Sequence, residues 1–249
     1  MGTGATNSMD AIDNTQGVTG LVLAGGRGSR MGGVDKGLLE WHGAPVAQQV
    51  LERLRPQVSA LLISANRNLD RYRAMGVPVL TDDPAGITSA NGGAASASTE
   101  TAPRFDGPLA GVLAGLRACT TPWLACVPCD APLFPHDLVA RLMQSARAQQ
   151  RPAAVVVRAR HSAQHDTKSL PVEMQMEPAF CLLRRELAER LAATLAAGER
   201  RWQAWLADCG AAEVVFDAHA ADPGSDATDP FGNLNTPQDW ARAAGNASR

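Results

Sequence analysis

The chain has 249 residues, which is enough for one large domain with a substantial hydrophobic core. Hydrophobic residues make up 45% of it and charged residues 19%, proportions that exclude a disordered protein. The formal charge of −2 excludes the basic excess of a nucleic-acid or membrane-surface binder, and every apolar run is shorter than the roughly 18 residues of a membrane helix. We therefore expect a soluble, cytoplasmic protein.

Short apolar runs and amphipathic segments alternate along the chain, which predicts alternating strands and helices. Strands are predicted at 20–24, 59–64, 77–82, 123–127, 153–157, 179–183 and 213–216. Helices are predicted at 46–54, 109–119, 135–150, 184–197 and 201–208, with a last helix starting at Thr236. This alternation is typical of an α/β fold, in which helices cover both faces of a mostly parallel central sheet.

The other segments are polar or rich in small residues. Residues 1–16 have no apolar periodicity and predict a disordered leader, and residues 245–249 are a short tail. Between them, residues 17–244 are expected to form a single domain. Within that domain, residues 84–106 are rich in Ala, Ser, Thr and Gly, which predicts a flexible insertion loop to which we assign no function.

Polar residues follow the predicted strands at their carboxyl ends, where α/β sheets bind ligands. The first strand leads into a glycine-rich loop that contains Arg30. Ser64 and Asn66 follow the second strand, Asp82 the third and Asp130 the fourth. Glycines, basic groups and carboxylates at one sheet edge predict a site for a nucleotide and a metal ion.

The glycine-rich loop matches neither of two standard phosphate-binding fingerprints. A Rossmann loop would need its third glycine at Met31, and a P-loop would need Lys and Ser or Thr at Val34 and Asp35. Its glycines nevertheless allow backbone N–H groups to approach phosphate oxygens closely. Arg30 and Lys36 are placed to neutralise a triphosphate.

The same loop, L-A-G-G-x3-R-M-G-G-x-D-K-G-L, resembles the signature of the molybdenum cofactor guanylyltransferases, which are nucleotidyltransferases of the MobA type. Further matches, in the family's order, are G-P-L-A-G at 107–111, C-V-P-C-D-A-P at 126–132, G-E-R-R at 198–201 and N-L-N-T-P at 233–237. The resemblance implies a three-layer, Rossmann-like nucleotidyltransferase fold. It also implies that GMP is transferred from GTP to molybdenum-bound molybdopterin, which yields the guanine dinucleotide cofactor and pyrophosphate.

The resemblance further assigns roles to individual residues. Those implied to bind the nucleotide are Leu23, Ala24, Gly25, Gly26, Lys36, Asp82 and Asp130. Asp130 is also the implied ligand of a divalent ion, Mg²⁺, which we expect to act with Arg30 and Lys36 in catalysis. The attacking pterin phosphate is already anionic, so positioning and charge stabilisation are expected to replace a general base.

The acceptor side is less well defined. Asn233 and Asn235 resemble the pair near the pterin and the metal. Many relatives have His-Pro where Glu177 and Pro178 stand, and relatives often have Asn at the position of Ser64. The expected partners are GTP and molybdenum-molybdopterin, with transient contacts to cofactor-biosynthesis proteins or molybdoenzyme chaperones, and we expect a monomer.

Several alternatives remain open at this stage. A cytidylyltransferase for the same cofactor or a sugar-phosphate nucleotidyltransferase commonly has Ala where Gly25 stands. A non-catalytic nucleotide-binding protein of the same fold is a third interpretation, although it would be expected to have lost Lys36, Asp82 or Asp130. We also expect Asp130 to be an uncompensated carboxylate when no metal is bound.

One pair of tryptophans and one pair of cysteines each allow two interpretations. Trp202 and Trp205 are spaced either to stack on a pterin or to pack a helix against the core. Cys126 and Cys129 have the C-x-x-C spacing of redox sites, but burial on a strand that enters a turn is the favoured interpretation.

Overall fold

The computed structural model describes residues 17–25, 35–82, 107–160, 173–216, 229–234 and 239. The predicted leader at 1–16, the predicted insertion loop at 84–106 and the tail at 245–249 lie outside these residues. So does the helix predicted from Thr236, apart from Asp239. The proposed single domain at 17–244 therefore stays a prediction.

The strands are numbered in chain order. They are β1 (Val18–Leu23), β2 (Glu40–Trp41), β3 (Ala44–Pro45), β4 (Ala60–Ser64), β5 (Val79–Leu80), β6 (Trp123–Pro128), β7 (Ala153–Arg160), β8 (Glu173–Arg184) and β9 (Ala212–Phe216). β2 and β3 form a separate antiparallel pair.

The helices alternate with the strands over most of the described chain. They are α1 (Val46–Leu54), α2 (Leu69–Arg73), α3 (Pro108–Ala118), α4 (Leu138–Ala148), α5 (Ala188–Ala196) and α6 (Trp202–Asp208). Short 3-10 helices lie at Lys36–Leu38, Arg55–Gln57 and Arg185–Leu187. None of the helices in the described part of the chain is long and apolar enough to cross a membrane.

The seven described strands of the main sheet have the order β5-β4-β1-β6-β8-β7-β9. β1 runs parallel to both β4 and β6, β4 parallel to β5, and β7 parallel to β9. Only β8 is antiparallel to its two neighbours, β6 and β7. The expectation of a mostly parallel α/β sheet is confirmed.

Helices cover both faces of the sheet, because alternate residues of each strand contribute to two separate hydrophobic cores. On one face, Val50 of α1 and Leu142 of α4 pack in the same core as Val22 of β1. On the other, Leu116 of α3 and Trp205 of α6 pack with the opposite face of the strands. The fold therefore has three layers.

Two predicted boundaries were wrong. The strands predicted at 153–157 and 179–183 are too short, because β7 continues to Arg160 and β8 begins at Glu173. These parts of β7 and β8 are not recognisable from the sequence, because their ladder from Arg158 to Arg160 has no continuous apolar face. The short helix α2 was also missed, because only Tyr72 of its five residues is buried and the rest are polar or only partly buried.

Candidate active site

The candidate site lies at the carboxyl edge of the parallel strands. The ladder continues beyond β1 and β4, with the Ala24 N–H donating to the Ser64 carbonyl at 2.7 Å. Beyond β6, the Cys129 N–H donates to the Leu23 carbonyl at 3.1 Å. These bonds bring Gly25, the end of β4 and Asp130 to one edge of the sheet.

Lys36 and Asp130 form an ion pair at this edge. Lys36 Nζ lies 3.2 Å from Asp130 Oδ2, and the two side chains are 27% and 14% exposed. The expectation that Asp130 is uncompensated without a metal was therefore wrong: the Lys36 ammonium supplies the opposite charge. Both side chains stay partly accessible at the sheet edge.

Asp35, which sequence reasoning passed over, anchors the turn that carries Lys36. Its carboxylate accepts hydrogen bonds from the Tyr72 hydroxyl at 2.6 Å and from Asn68 Nδ2 at 2.9 Å, and Arg67 Nε lies 3.6 Å away. Burial first, then the nearby Cys129 and the Asp35 carboxylate, raise the Tyr72 pKa, so the hydroxyl is a permanent donor. α2 thus fixes the residue that precedes Lys36.

Gly37 allows this turn to approach the core closely. A β-carbon at Gly37 would lie 2.6 Å from the Tyr72 hydroxyl, 3.1 Å from Cys129 Sγ and 3.3 Å from the Ala47 β-carbon. All three atoms belong to buried side chains that cannot move away cheaply. The D-K-G segment therefore has a physical explanation: Asp35 anchors, Lys36 reaches Asp130, and Gly37 lets the turn approach.

A cavity of about 450 Å³ opens at the same sheet edge. Its lining residues come from the ends of several strands and from the start of α3. They are Leu23, Gly25, Ser64, Asp82, Gly107, Pro108, Gly111, Pro128, Ala179 and Trp202. The mostly apolar wall with a few polar groups suits a flat heterocycle.

Asp82 is held on this cavity by Asn66. Asn66 Nδ2 donates to Asp82 Oδ2 at 2.5 Å, and the Asp82 backbone N–H donates to Asn66 Oδ1 at 2.9 Å. A β-carbon at Gly25 would lie 3.4 Å from Asn66 Nδ2. Asn66 thus positions the Asp82 carboxylate from the side of the glycine loop.

α3 approaches the end of β4 closely at a glycine of its first turns. Gly107 has φ +89°, a conformation that favours glycine, and Pro108 occupies the first turn. One turn later, a β-carbon at Gly111 would lie only 2.4 Å from Ser64 Oγ and 3.5 Å from Asp82 Oδ1. The G-P-L-A-G segment therefore keeps space free around the two polar groups of the cavity.

The segment 229–234 approaches Asp130 from the other side. The Leu234 N–H donates to the Asp130 carbonyl at 2.8 Å. The preceding residue, Asn233, is exposed. Asn233 therefore lies next in sequence to a residue bonded to Asp130, as its predicted acceptor-side role requires.

The predicted site residues fall into two groups. Those that the structure brings to the sheet edge are Leu23, Ala24, Gly25, Lys36, Asp82, Asp130 and Asn233. Three others, Gly26, Arg30 and Asn235, lie outside the described residues. Asp35, Asn68 and Tyr72 were missed as a positioning group; the only sequence signal was Asp35 beside Lys36.

The tryptophan and cysteine pairs have different outcomes. Trp205 is 2% exposed and packs in the core, whereas Trp202 lines the cavity wall. Cys126 lies on β6 and Cys129 just after it, both buried and unbridged, as the favoured interpretation expected. Burial, followed by the nearby Asp130, raises the Cys129 pKa well above its usual value, which disfavours a reactive thiolate.

The donors at the edge fit a magnesium ion that is bound mainly by substrate. Among the described residues, no three His, Cys, Asp or Glu side chains form a metal-binding cluster. Mg²⁺ typically keeps several waters and takes one or two carboxylates together with phosphate oxygens. Asp130, a partly exposed carboxylate, suits that role.

Two solved structures share this fold over most of the chain. Molybdopterin-guanine dinucleotide biosynthesis protein A from Archaeoglobus fulgidus matches with a TM-score of 0.59 at 18% identity, over 92% of this chain and 98% of that one. The 2-C-methyl-D-erythritol 4-phosphate cytidylyltransferase from Thermus thermophilus matches with a TM-score of 0.62 at 15% identity, over the same shares. At such identities these matches establish the fold alone, which is a nucleotidyltransferase fold.

Sequence relatives narrow the class to a family. The model of the MobA-like NTP transferase domain matches residues 20–212. A molybdenum cofactor guanylyltransferase from Cupriavidus necator is 44% identical over 219 residues, which cover 88% of this chain and 92% of the relative. Another from Ralstonia nicotianae is 45% identical over 223 residues, covering 89% and 93%. The chain belongs to the MobA-like NTP transferase family.

Proposed function

We propose that this protein transfers GMP from GTP to molybdenum-bound molybdopterin and releases pyrophosphate. The observation that carries the proposal is that one sheet edge holds both a cavity for a heterocycle and the Lys36–Asp130 pair for phosphates. The family membership and the names of its relatives support the same reaction. Because no single lining residue defines guanine, the choice of base depends most on those relatives.

The nucleotide is proposed to bind with its base and ribose in the cavity. Leu23, Ala24 and Gly25 would contact it through the backbone, and the Asp82 carboxylate, held by Asn66, would accept its hydrogen bonds. Gly26 is proposed to extend the same contact toward the phosphates, with Arg30 adding positive charge. These assignments follow the family motif position by position.

The chemical step joins an acceptor phosphate oxygen to the α-phosphorus of GTP. The bond from that phosphorus to the bridging oxygen breaks, and pyrophosphate leaves with the electron pair. Lys36 would exchange its contact with Asp130 for a phosphate oxygen, where its ammonium stabilises the charge that develops. Asn233 and Asn235 are proposed to orient the acceptor.

Asp130 would hold Mg²⁺, which would supply positive charge that offsets the charge of the phosphates. Lys36 would then contact the substrate instead of Asp130. The Asp130 carboxylate and its backbone carbonyl, which is bonded to Leu234, would set where the phosphates meet.

We also propose a cytoplasmic monomer in which residues 17–244 form one domain, with transient contacts to cofactor-biosynthesis proteins or molybdoenzyme chaperones.

Thermal denaturation with each nucleoside triphosphate and Mg²⁺ tests the choice of base. GTP is expected to raise Tm most; at about 100 times Kd, a ligand stabilises the folded state by roughly 2.7 kcal/mol. Equal or greater stabilisation by CTP would favour the cytidylyltransferase instead. Binding of GTP without transfer to the cofactor would favour the non-catalytic alternative.

A further inference from the structure

An ion bridge of three residues ties the segment 229–234 to the sheet. Arg158 Nε on β7 lies 2.5 Å from Glu177 Oε1 on β8, and Arg158 Nη1 donates to Asp229 Oδ2. The side chains of Arg158 and Glu177 are each 19% exposed. Burial acts to lower the Arg158 pKa, but the hydrogen bond to Glu177 and the charge of Asp229 raise it overall.

The sheet is irregular where this bridge is attached. Val155 of β7 pairs with Cys181 of β8, but the next residue, Val156, pairs with Glu177. Pro178 follows Glu177 and has no N–H to donate, so the ladder is interrupted there. Irregularities of this kind redirect a side chain, and here the strand resumes with Glu177 facing Arg158.

The segment 229–234 forms a turn with buried anchors. Asp229 Oδ1 accepts the Phe231 N–H at 3.1 Å, and the Asp229 carbonyl accepts the Gly232 N–H at 3.0 Å. The Phe231 ring is buried, with its centroid 4.9 Å from that of Phe180. These contacts hold the turn together, and the contact with Arg158 links its charged first residue to the sheet.

The end of the turn contacts the candidate active site. The Leu234 N–H donates to the Asp130 carbonyl at 2.8 Å, and Leu234 is buried. Asn233 is exposed between the buried Phe231 and Leu234. Asp229 and Asn233 therefore belong to one short turn whose end is bonded to the backbone of Asp130.

We propose that Arg158, Glu177 and Asp229 are positioning residues for the acceptor side of the active site. This inference rests on the proposed function, because it assigns Asn233 and Asp130 to the meeting point of acceptor and nucleotide. Without the guanidinium, Glu177 and Asp229 would face each other as like charges, and the turn would lose its attachment to β7.

Three variants separate the contacts of the bridge. Arg158→Met keeps the aliphatic stem and removes the charge from both carboxylates. Asp229→Asn keeps Oδ1 as acceptor for the Phe231 N–H but turns the atom that faces Arg158 into a donor. Glu177→Gln keeps the Arg158–Asp229 contact and an acceptor at Oε1. Arg190→Met is the matched control, since it breaks an exposed ion pair with Asp208 between α5 and α6.

We expect Arg158→Met and Asp229→Asn to raise KM for the molybdopterin acceptor at least about 10-fold, the scale of a lost charge-assisted hydrogen bond. KM for GTP is expected to change less than about 2-fold, because the nucleotide cavity does not include the bridge. Glu177→Gln is expected to have a smaller effect, and Arg190→Met none on either KM.

Hydrogen exchange gives a readout that does not require activity. In Arg158→Met and Asp229→Asn, the amides of residues 231–234 should exchange at least about 10-fold faster, whereas β1 and β6 should exchange as in the wild type. If Arg158→Met does not fold, Asp229→Asn makes the same test with the milder change.

The outcomes are distinct. An unchanged acceptor KM in Asp229→Asn, or a KM increase shared equally by GTP, would overturn the positioning role. Unchanged exchange at 231–234 would overturn the bridge as an anchor. Wild-type protein that transfers no GMP would instead overturn the proposed function, and the exchange measurement would still decide whether the bridge holds the turn.

Discussion

At the residue scale, the Lys36–Asp130 pair combines the two proposed roles of charge. Each side chain neutralises the other in the ligand-free protein, at 3.2 Å, so neither charge is left uncompensated. If a nucleotide and a metal ion bind together as proposed, each side chain gains a new partner of opposite charge. The proposal therefore gives the pair a role in binding ligands besides its role as a salt bridge.

Lys36→Ala should reduce turnover by at least about 100-fold, the scale of losing one preorganised electrostatic contact. Stability should fall by no more than about 1 kcal/mol, because partly exposed ion pairs contribute little. GMP transfer at saturating GTP and thermal denaturation without ligand measure the two effects. A variant that loses stability but transfers GMP normally would give Lys36 a structural role only.

Asp130→Asn keeps the shape of the side chain but removes its charge. Turnover is expected to fall at least about 100-fold, with a much smaller loss of GTP binding, because the glycine loop and Lys36 remain. Stability should decrease slightly, since the Lys36 contact is weakened. A Mg²⁺ titration of GMP transfer checks this; wild-type rates at low Mg²⁺ would leave Asp82 as the candidate ligand.

Tyr72→Phe tests the anchor of the Lys36 turn. It removes the 2.6 Å hydrogen bond to Asp35 while keeping the buried ring, and the cost in unfolding free energy should be about 1–3 kcal/mol. We expect kcat to fall more than KM for GTP rises, because Lys36 acts on charge that develops during transfer. Equal kcat with lower Tm would limit Tyr72 to a structural role.

At the element scale, α3 and β4 approach each other through residues with little or no side chain. The helix starts at Gly107 and Pro108, and Gly111 faces Ser64 one turn later. The helix predicted at 109–119 agrees with α3 to within one residue at each end, because its apolar spacing is regular. It could not predict the close approach to Ser64, because that depends on how the helix packs on the sheet.

Gly111→Ala should weaken GTP binding although alanine favours helices. The new β-carbon would meet Ser64 Oγ at 2.4 Å and displace it from the cavity wall. Pairing the change with Ser64→Ala removes the clashing oxygen and should recover part of the affinity. Calorimetric titration with GTP measures both; an unchanged Kd in Gly111→Ala alone would place the nucleotide elsewhere.

Other elements show why parts of the site could not be predicted. The residues at the ends of β1, β4 and β6 were found because parallel strands end at a common edge. α2 was missed because its polar sequence has one buried anchor, Tyr72, whose partner Asp35 is distant in sequence. The start of β8 was missed because it is defined by pairing with β7 and not by its own apolar pattern.

At the scale of the whole molecule, a three-layer sheet supports a site made from distant parts of the sequence. Lys36 and Asp130 are 94 residues apart, and Arg158 and Asp229 are 71 apart. Motifs singled out both members of the first pair, because each stands in a family signature, but did not predict that they contact each other. The second pair could not be predicted, since an arginine on a strand and an aspartate in a polar segment carry no signal by themselves.

GMP transfer by the purified wild-type protein is the most direct test of the proposed function. Molybdenum-molybdopterin is incubated with Mg²⁺ and either GTP or CTP, and the dinucleotide form of the cofactor and pyrophosphate are quantified. The proposed function predicts equal amounts of both products with GTP and much less of either with CTP. Preferential use of CTP, or binding of GTP with no pyrophosphate released, would contradict it.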